Sequence, residues 1–266
     1  MNKARFIAIL LFLAFCFIYA VFFIARPNEF DENDLYDEIQ NRGYIKVGIN
    51  VDSKPFGFYD QNGNLQGYDV DLAHYIAQYI LKNTEAVKFI PVTPSNRLLK
   101  ASTGEVDIVI STVTITPQRM EVVDFSNPYD NAGQAILVKK NSQIKSLADL
   151  SGQNVGVIFG TTAEKNIKAL SPTANVLGFK SYEDAYKALK TGYISAITSD
   201  DTILNRYVVE DATIQILPKR YSKEPYGIAF KKGKTSEKFK QNINYTVREL
   251  LDTGKILRLR KKWNVL

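Results

Sequence analysis

Cysteine and histidine are almost missing from this sequence, and their scarcity excludes several kinds of chemistry. The 266 residues include one cysteine, Cys16, and one histidine, His74. A single cysteine cannot form an internal disulfide or supply a cysteine-based metal cluster. His74 lies in the helix-like run VDLAHYIAQYI and is more simply a surface or half-buried helix residue than a metal ligand or a base. We therefore expect no metal, no cofactor and no catalytic triad.

Charged residues are abundant but are not concentrated on one segment. The net charge is +6, with 34 lysines and arginines scattered along the chain. The densest basic groups, at residues 231–234 and 258–263, are typical of the solvated ends of structural elements. Binding of nucleic acid is therefore not expected. A hydrophobic fraction of 45% is ordinary for a folded protein.

A long hydrophobic run lies near the start of the chain. Residues 6–25 are continuously apolar over about the length that spans a bilayer. Lys3 and Arg5 precede the run and an acidic segment follows it, which favours a cytoplasmic N-terminus and an external remainder. The bulky exit sequence FIA favours an uncleaved transmembrane anchor at residues 1–26. A cleaved signal peptide and a lipoprotein acylated at Cys16 are the alternatives.

Strand and helix patterns alternate after a polar tether and a short helix at residues 27–43. Strands are predicted over residues 44–51 and 86–92 from their alternating apolar positions. Between them, apolar residues recur at helical spacing from Val70 to Ile80. This strand–helix–strand order predicts an α/β fold with a mainly parallel sheet covered on both faces.

The same alternation starts again at residue 134, which indicates a second lobe. Candidate crossovers lie near residues 130–134 and 221–226, and the second would return the chain to the first lobe. Two lobes joined by two strands form a hinge that can close on a ligand between them.

Ser111–Tyr129 is the segment with the most features of a ligand site. The apolar, β-branched run 106–110 predicts a buried strand before it, and Pro117 forces the chain out of the sheet. Arg119 then lies beyond the carboxyl end of a strand, where open α/β sheets place their ligands. An arginine among short hydroxyl residues is suited to binding a carboxylate through two parallel hydrogen bonds.

Further residues point to the same cleft. Phe56 offers an aromatic wall or a core ring, and the Gly160–Thr162 turn offers N–H groups and hydroxyls to an anion. Asp200 follows another strand and could pair with an ammonium group, while Asp201 would cap the next helix. Arg97 is a second candidate cation or a solvated residue. Together these groups describe a site for a free α-amino acid.

An ordered series of motifs gives the sequence a specific resemblance from about Tyr44 to Trp263. The segments are GYDVDLAHYIA, EVDIVISTVTITPQRMEVVDFSNPY, SLADLSGQNVGVIFGTT, AITSDDTIL and SKEPYGIAFKKG. In this order they resemble the polar amino-acid binding proteins of bacterial ABC importers, solute-binding protein family 3. The resemblance implies a two-lobe, periplasmic-binding-protein-like fold (type II, Venus flytrap) with two hinge crossovers.

The resemblance also implies boundaries, partners and location. The first lobe would comprise residues 44–131 and 226–266, and the second residues 132–225. Proteins of this kind are binders, not enzymes, and deliver an amino acid to the permease subunits of an ABC importer. We expect a monomer at the outer face of the cytoplasmic membrane.

Site roles follow from the resemblance residue by residue. Arg119 would bind the ligand α-carboxylate with Thr114, the Thr112 backbone and Thr162. Asp200 would bind the α-ammonium group, with the Ser111–Thr112 backbone as a further acceptor. Phe56 would cover the ligand, although Ser53 stands where relatives often carry an aromatic residue.

The ligand side chain is the less determined part of the prediction. Arg97, Tyr182 and Tyr226 match positions that resemble those of acidic amino-acid binders, so glutamate or aspartate is favoured if Arg97 faces the cleft. Glutamine or another polar amino acid is the alternative, although Ile158 stands where glutamine binders carry a basic partner.

An enzyme on the same scaffold is a further alternative. Cyclohexadienyl dehydratases resemble these binders, and Glu164 would match the position of their catalytic acid. A glutamate in the first turn of a helix is also favoured by the helix dipole alone, so binding is the preferred interpretation.

Overall fold

The computed structural model describes Phe12, Tyr19, residues 34–233 and residues 236–265. The anchor is predicted for residues 1–26, and of these the described residues include only Phe12 and Tyr19. Within the described part of the chain, no helix is both long enough and apolar enough to cross a membrane. Asp34–Leu266 form one compact unit, which contains all the elements below.

The elements of this unit alternate between strand and helix. The strands are β1 (Ile45–Asn50), β2 (Asp52–Ser53), β3 (Gly57–Tyr59), β4 (Leu65–Gln66), β5 (Val87–Val92), β6 (Ile108–Val109), β7 (Val123–Phe125), β8 (Asp130–Ala132), β9 (Gln134–Lys139), β10 (Asn154–Ile158), β11 (Asn175–Phe179), β12 (Ala196–Asp200), β13 (Ile214–Ile216), β14 (Glu224–Tyr226) and β15 (Ala229–Lys231). The helices are α1 (Leu35–Arg42), α2 (Tyr68–Leu81), α3 (Arg97–Ser102), α4 (Pro117–Met120), α5 (Thr162–Leu170), α6 (Tyr182–Thr191), α7 (Asp201–Glu210), α8 (Glu237–Asp252) and α9 (Lys255–Trp263), with a 3₁₀ turn at Leu147–Leu150.

The first lobe is built on a five-stranded sheet in the order β5-β1-β6-β15-β7. β1 runs parallel to β5 and β6, whereas β15 runs antiparallel to β6 and β7. The sheet is therefore mixed, although the sequence predicted a mainly parallel one. The difference arises because β15 enters this sheet from the opposite direction after the chain has passed through the second lobe.

The second lobe repeats this plan with strand order β11-β10-β12-β9-β13. β10 is parallel to β11 and β12, and β9 is antiparallel to β12 and β13. The carboxyl ends of β10 and β12 consequently meet at one edge of the sheet. The Gly160–Thr162 turn and Asp200 follow from those two ends.

β8 and β14 pair with each other where the chain passes between the two sheets. Their register places Asp130 opposite Tyr226 and Ala132 opposite Glu224. Thr114 forms a further antiparallel bridge to Tyr226. The crossover pair is thus hydrogen-bonded to the segment that leads to Arg119.

The helical spacing in α2 produces the buried face that the sequence predicts. Leu72, Ala73, Ile76 and Ala77 are almost completely inaccessible to solvent, and each fully buried Leu or Ile side chain contributes roughly 1.5–3 kcal/mol of hydrophobic stabilisation. His74 on the same helix is half-buried, with Nδ1 2.7 Å from the carbonyl oxygen of Thr84. The buried face of α2 packs against the first sheet, where the helix contacts β1 and β5.

Candidate functional site

Arg119 projects from a single helical turn at the mouth of the cleft. The Thr116 hydroxyl accepts the Arg119 backbone N–H at 3.2 Å, and Pro117 starts the turn with its fixed φ angle. The buried guanidinium donates to the Thr114 carbonyl at 2.9 Å and, across the cleft, to the Gly160 carbonyl at 3.1 Å. Arg119 therefore lies at the boundary of the two lobes, in contact with both.

Arg97 is the second cation, and it is buried instead of solvated. It begins α3, only 3% of the residue's surface is exposed, and its Nη1 donates to the Ser111 carbonyl. Its Nε–H is enclosed without a hydrogen-bond partner in the described chain. Asp200, Tyr182 and Tyr226 are near enough to act electrostatically on its pKa, which burial lowers more strongly than they raise it. Arg97 thus faces the cleft from the first lobe.

The backbone between these arginines is strained at Thr112. This β-branched residue has a φ of 46°, in the left-handed region that only glycine adopts freely. Such a conformation costs on the order of 1–3 kcal/mol and persists where the surroundings enforce it. No sequence pattern predicts this strain, because threonine is not a residue expected in that conformation.

Asp200 supplies a carboxylate at the carboxyl end of β12. Its Oδ2 accepts the Tyr226 hydroxyl at 2.6 Å, while its Oδ1 accepts no hydrogen bond from the part of the chain that the structure describes. Burial, reinforced by the nearby Glu224 carboxylate, raises the pKa of Asp200 to about 7. Oδ1 is thus available to an ammonium group.

Asp201 has a role different from the predicted helix cap. The N-cap position of α7 is held by Asp200, and Asp201 is the first residue of the helix. The Asp201 carboxylate accepts the N–H of Gly133 at 3.0 Å and forms an ion pair with Arg220 at 2.6 Å. It therefore ties the second lobe to the backbone just after β8.

Thr162 begins α5, and its hydroxyl is occupied by a residue that the sequence reasoning missed. The Thr162 Oγ1 donates to Glu224 Oε2 at 2.8 Å. Glu224 is a buried residue of β14 and also accepts the Ser222 hydroxyl at 2.5 Å. Within this arrangement Thr162 can offer an anion its backbone N–H, but not its hydroxyl hydrogen. A charged residue inside a predicted hinge strand was the available signal for Glu224.

The predicted aromatic residues surround this region from three elements. The Tyr182 hydroxyl lies 3.1 Å from Ser199 Oγ, and its ring is buried. The Tyr226 ring packs edge-on against Phe56 at 6.1 Å between centroids, and Phe56 packs in the same way against Tyr68 at 5.6 Å. Phe56 is completely buried, so it forms part of an aromatic group next to β14.

The two lobes touch along both edges of the cleft. On one edge Lys165 donates to Gln118 at 2.5 Å, next to the Arg119–Gly160 contact. On the other, Lys54 pairs with Glu210 at 2.7 Å. The conformation is therefore closed over the buried residues between the lobes.

Four buried charges lie between the closed lobes, and we call them the charge cluster: Arg97, Arg119, Asp200 and Glu224. No salt bridge joins one of the four to another, although all four belong to the described residues. Burial and the neighbouring Arg97 lower the pKa of Arg119 to about 10, while Asp200 and Glu224 oppose this shift. Buried charges without a direct counter-ion are costly, so the cluster is suited to a ligand that supplies both signs.

Glu164 does not face this cluster through a free carboxylate. Its Oε2 accepts the backbone N–H of Gly160 at 2.9 Å, and its Oε1 lies 3.9 Å from Lys168. The side chain therefore shapes the turn before α5, whose Gly160 carbonyl accepts Arg119. This contact gives Glu164 a structural role at the position where a dehydratase would carry its acid.

Comparison with known proteins agrees with this architecture. Residues 45–265 match the sequence model of the bacterial extracellular solute-binding proteins, family 3. The chain belongs to this family. It is similar to the ABC transporter glutamine-binding protein GlnH of Bacillus subtilis, with 36% identity over 87% of this chain and 85% of that protein. The glutamine-binding protein of Geobacillus stearothermophilus is 39% identical over 72% of this chain and 74% of its own length.

A solved structure shows the same fold. An ancestral arginine-binding protein bound to glutamine superposes with a TM-score of 0.77 and 38% identity, over 84% of this chain and 98% of that chain. The fold is thus the two-lobe periplasmic-binding-protein fold, as the sequence predicted. The relatives named above are binding proteins of a solute-binding family, which makes this chain a binding protein and not an enzyme.

Proposed function

We propose that this chain binds a polar L-amino acid between its lobes and delivers it to the permease of an ABC importer. Arg119 would bind the α-carboxylate, helped by the Thr162 backbone N–H, and Asp200 Oδ1 would bind the α-ammonium group. The observation that carries this proposal is the charge cluster, in which no buried cation is directly paired with a buried carboxylate. A zwitterion would pair its carboxylate with Arg119 of the first lobe and its ammonium group with Asp200 of the second. Because these two contacts form together only in the closed conformation, the ligand would stabilise closure.

The balance of buried charge favours a ligand with a neutral side chain. Once the zwitterion has engaged Arg119 and Asp200, one cation and one carboxylate remain, Arg97 and Glu224. The formal charges of these two residues sum to zero, so a further carboxylate on the ligand would leave the closed cleft with an excess negative charge. Enclosing an uncompensated charge costs several kcal/mol. We therefore assign glutamine as the ligand, in keeping with the names of the two relatives above.

Glutamate or aspartate is the second candidate, and one observation supports it. The Arg97 Nε–H is buried without a partner in the described chain, and an acidic side chain could accept it. This candidate requires Glu224 to stay bound to Thr162 and Ser222 without repelling the ligand.

We also propose that the apolar N-terminal run holds the protein at the outer face of the membrane. The proposal rests on the sequence of residues 6–25 and on the extracellular character of the family. A tether would restrict the binder to the surface and raise its effective concentration at the permease.

A thermal-shift screen of the full-length chain against the twenty amino acids tests the proposed function. A ligand that binds only the folded state adds about 2.7 kcal/mol of stability at a concentration of 100 times its Kd. We expect the largest rise in Tm with L-glutamine. Arg119→Ala should lose the rise, whereas the matched control Arg258→Ala, on the exposed side of α9, should keep it. A Tm that no amino acid raises would contradict amino-acid binding.

A further inference from the structure

Gly160 lies in a turn of the second lobe whose backbone contacts the backbone of the first lobe directly. Its φ is 79°, in the left-handed region, and its Cα faces the turn at Pro94–Ser95. A methyl group on this Cα would lie 2.6 Å from the Pro94 carbonyl oxygen and 2.8 Å from the Ser95 Cα. Non-bonded heavy atoms are normally about 3.5–4.0 Å apart, so the two turns meet at a distance that only glycine allows.

The turn of the second lobe is held in place by contacts within its own lobe. The Phe159 N–H donates to the Phe179 carbonyl at 3.1 Å. The Phe159 ring lies against Gly178, where a methyl group would be only 2.1 Å from a ring carbon. The Glu164 carboxylate accepts the Gly160 N–H at 2.9 Å. This side of the contact therefore resists the displacement that an added side chain would require.

The turn of the first lobe is also constrained, and it leads directly into Arg97. The Thr93 N–H donates to the Asn96 side-chain carbonyl at 2.8 Å. The Thr93 carbonyl accepts the N–H groups of Asn96 at 3.2 Å and Arg97 at 3.0 Å. Pro94, inside this turn, is buried and has a fixed φ. Moving the turn would consequently move the start of α3 and its buried cation.

Two hydrogen bonds cross between the lobes at the same contact. Arg119 donates to the Gly160 carbonyl at 3.1 Å, and the Ser95 hydroxyl donates to the Phe159 carbonyl at 3.2 Å. A side chain at residue 160 would separate the two turns by about 1 Å, which would lengthen both bonds beyond hydrogen-bonding distance. The missing side chain of Gly160 is thus a condition for these contacts of the closed conformation.

We propose that Gly160 is a positioning residue for amino-acid binding, whose lack of a side chain allows the second lobe to reach the Pro94–Ser95 turn and thereby sets how far the cleft closes on its ligand. The proposal rests on the proposed function of the cleft. Gly160 acts through the distance between the lobes and not through a contact with the ligand, because Glu164 accepts its N–H and its carbonyl accepts Arg119.

Gly160→Ala in the full-length chain tests this proposal against a matched glycine. Gly152 is in the same lobe and has a φ of 69°, but a methyl group there would meet nothing within 4 Å. Both substitutions place alanine in the left-handed region, so we expect similar decreases in the Tm of the ligand-free protein. In calorimetry, Gly160→Ala should weaken L-glutamine binding roughly 20-fold, whereas Gly152→Ala should change the Kd by less than about twofold. The same titrations with L-glutamate cover the second candidate ligand.

Cross-linking measures closure separately from affinity. Gln118→Cys and Lys165→Cys, in a Cys16→Ser background, place one thiol on each lobe where the native side chains are 2.5 Å apart. A short bis-maleimide then joins the lobes when they close. In the ligand-free protein the rate of cross-linking follows the closed fraction, so Gly160→Ala should slow it at least about fivefold. Gly152→Ala should react at the same rate as the wild type.

Three results would overturn the proposal. They are wild-type affinity in Gly160→Ala, an equal loss of affinity in Gly152→Ala, and weaker binding by Gly160→Ala with an unchanged cross-linking rate, which would indicate a local defect of the site. If Gly160→Ala does not fold, Gly160→Asn with Gly152→Asn as its control replaces the pair, because asparagine tolerates the left-handed region better than alanine.

The outcome is distinguishable from a failure of the proposed function. If the wild-type chain binds neither amino acid, the proposed function is wrong. The cross-linking rates of the ligand-free proteins still decide the role of Gly160, because they require no ligand. A slower reaction in Gly160→Ala alone supports the role in closure, and equal rates in Gly160→Ala and Gly152→Ala contradict it.

Discussion

The first lobe contributes cations to the cleft, whereas the second lobe and the β14 crossover contribute carboxylates. Arg97 and Arg119 are held by backbone carbonyls. Asp200 and Glu224 are held by hydroxyl groups, those of Tyr226 and of residues at the start of α5 and before β14. Neither set is neutralised by the other, so each is satisfied by neutral dipoles alone.

This separation explains how one ligand can join two lobes. Hydrogen bonds from dipoles keep the buried charges tolerable in the closed state, but they are weaker than a direct counter-ion. A zwitterion inserted between the two sets replaces dipoles by charges on both sides at once. In the proposed complex, the lobe that carries each charge determines which end of the ligand it binds, and the remaining charges determine the side chain.

Removing Arg119 from the first lobe should weaken ligand binding more than any other change. Arg119→Ala leaves the α-carboxylate without its cation, and truncating one partner of a buried charge pair costs about 2–5 kcal/mol. We expect a loss in the upper part of this range, about 4 kcal/mol or roughly 1000-fold in affinity. Calorimetric titration with L-glutamine measures the loss, with Arg258→Ala as control. A reduction below about tenfold would show that the carboxylate binds elsewhere.

Removing the charge of Asp200 should have the next largest effect. Asp200→Asn keeps the shape and the bond from Tyr226, but leaves the ligand ammonium without a counter-ion. We expect binding about 100-fold weaker by calorimetry. Asp252→Asn, on the exposed end of α8, serves as the matched control and should bind normally. Unchanged affinity in Asp200→Asn would contradict the role assigned to the second lobe.

The pH dependence of binding should follow the ionisation of Asp200. Its pKa is raised from 3.8 to about 7, so the carboxylate needed by the ammonium group is mostly protonated at pH 5.5. With all else constant, affinity for L-glutamine should fall about 30-fold between pH 8 and pH 5.5. Titrations in buffers of different ionisation enthalpy would also show proton release on binding near pH 7. A flat profile in this range would argue against Asp200.

Stability of the ligand-free protein should move with pH in the opposite direction. Asp200 and Asp69 have raised pKa values, both about 7, and therefore favour the protonated folded state. Their contribution to the free energy of unfolding is fully present below the unfolded pKa of about 3.9 and is lost as the pH rises through 7. Denaturant titrations at pH 5.5 and pH 8 of wild type and Asp200→Asn isolate the share of Asp200. If the free energy of unfolding changed equally with pH in both proteins, Asp200 would have no share in the pH dependence.

The exposed edge of the cleft should matter least. Lys54 and Glu210 form an ion pair across the lobes, but both are about half exposed in their side chains. Exposed pairs contribute about 0–1 kcal/mol and are screened by salt. We expect Lys54→Ala to weaken L-glutamine binding by no more than about fivefold, and less at high ionic strength. A loss comparable to that of Asp200→Asn would show that the Lys54–Glu210 ion pair stabilises the closed conformation as much as the charge cluster does.

The sequence is sufficient to predict candidate site residues whose position follows from their neighbours in the chain. Arg119 follows a β-branched strand and a proline, and Asp200 ends another strand, so strand position and side-chain type were sufficient. The register that brings them together depends on β8 and β14, which are short and lack a strong periodic pattern.

Other features depend on tertiary contacts that no local pattern encodes. Glu224 meets Thr162 across 62 residues of chain, and Asp69 accepts the Tyr129 hydroxyl across 60 residues. Likewise, the burial of Arg97 depends on tertiary contacts such as the one with the Ser111 carbonyl, so the sequence left its solvated alternative open. The proposed preference for a neutral side chain rests on Glu224, which the sequence reasoning had not included.

The ratio of affinities for L-glutamine and L-glutamate tests the charge balance most directly. Calorimetry at pH 8 on the wild-type chain and on Glu224→Gln gives four dissociation constants. We expect the wild type to bind L-glutamine at least about tenfold more tightly than L-glutamate, since an unpaired buried charge costs well over 1.4 kcal/mol. We also expect Glu224→Gln, which removes one negative charge from the cleft, to shift the ratio toward L-glutamate. Tighter binding of L-glutamate by the wild type, or the same ratio in both proteins, would contradict the proposed charge balance.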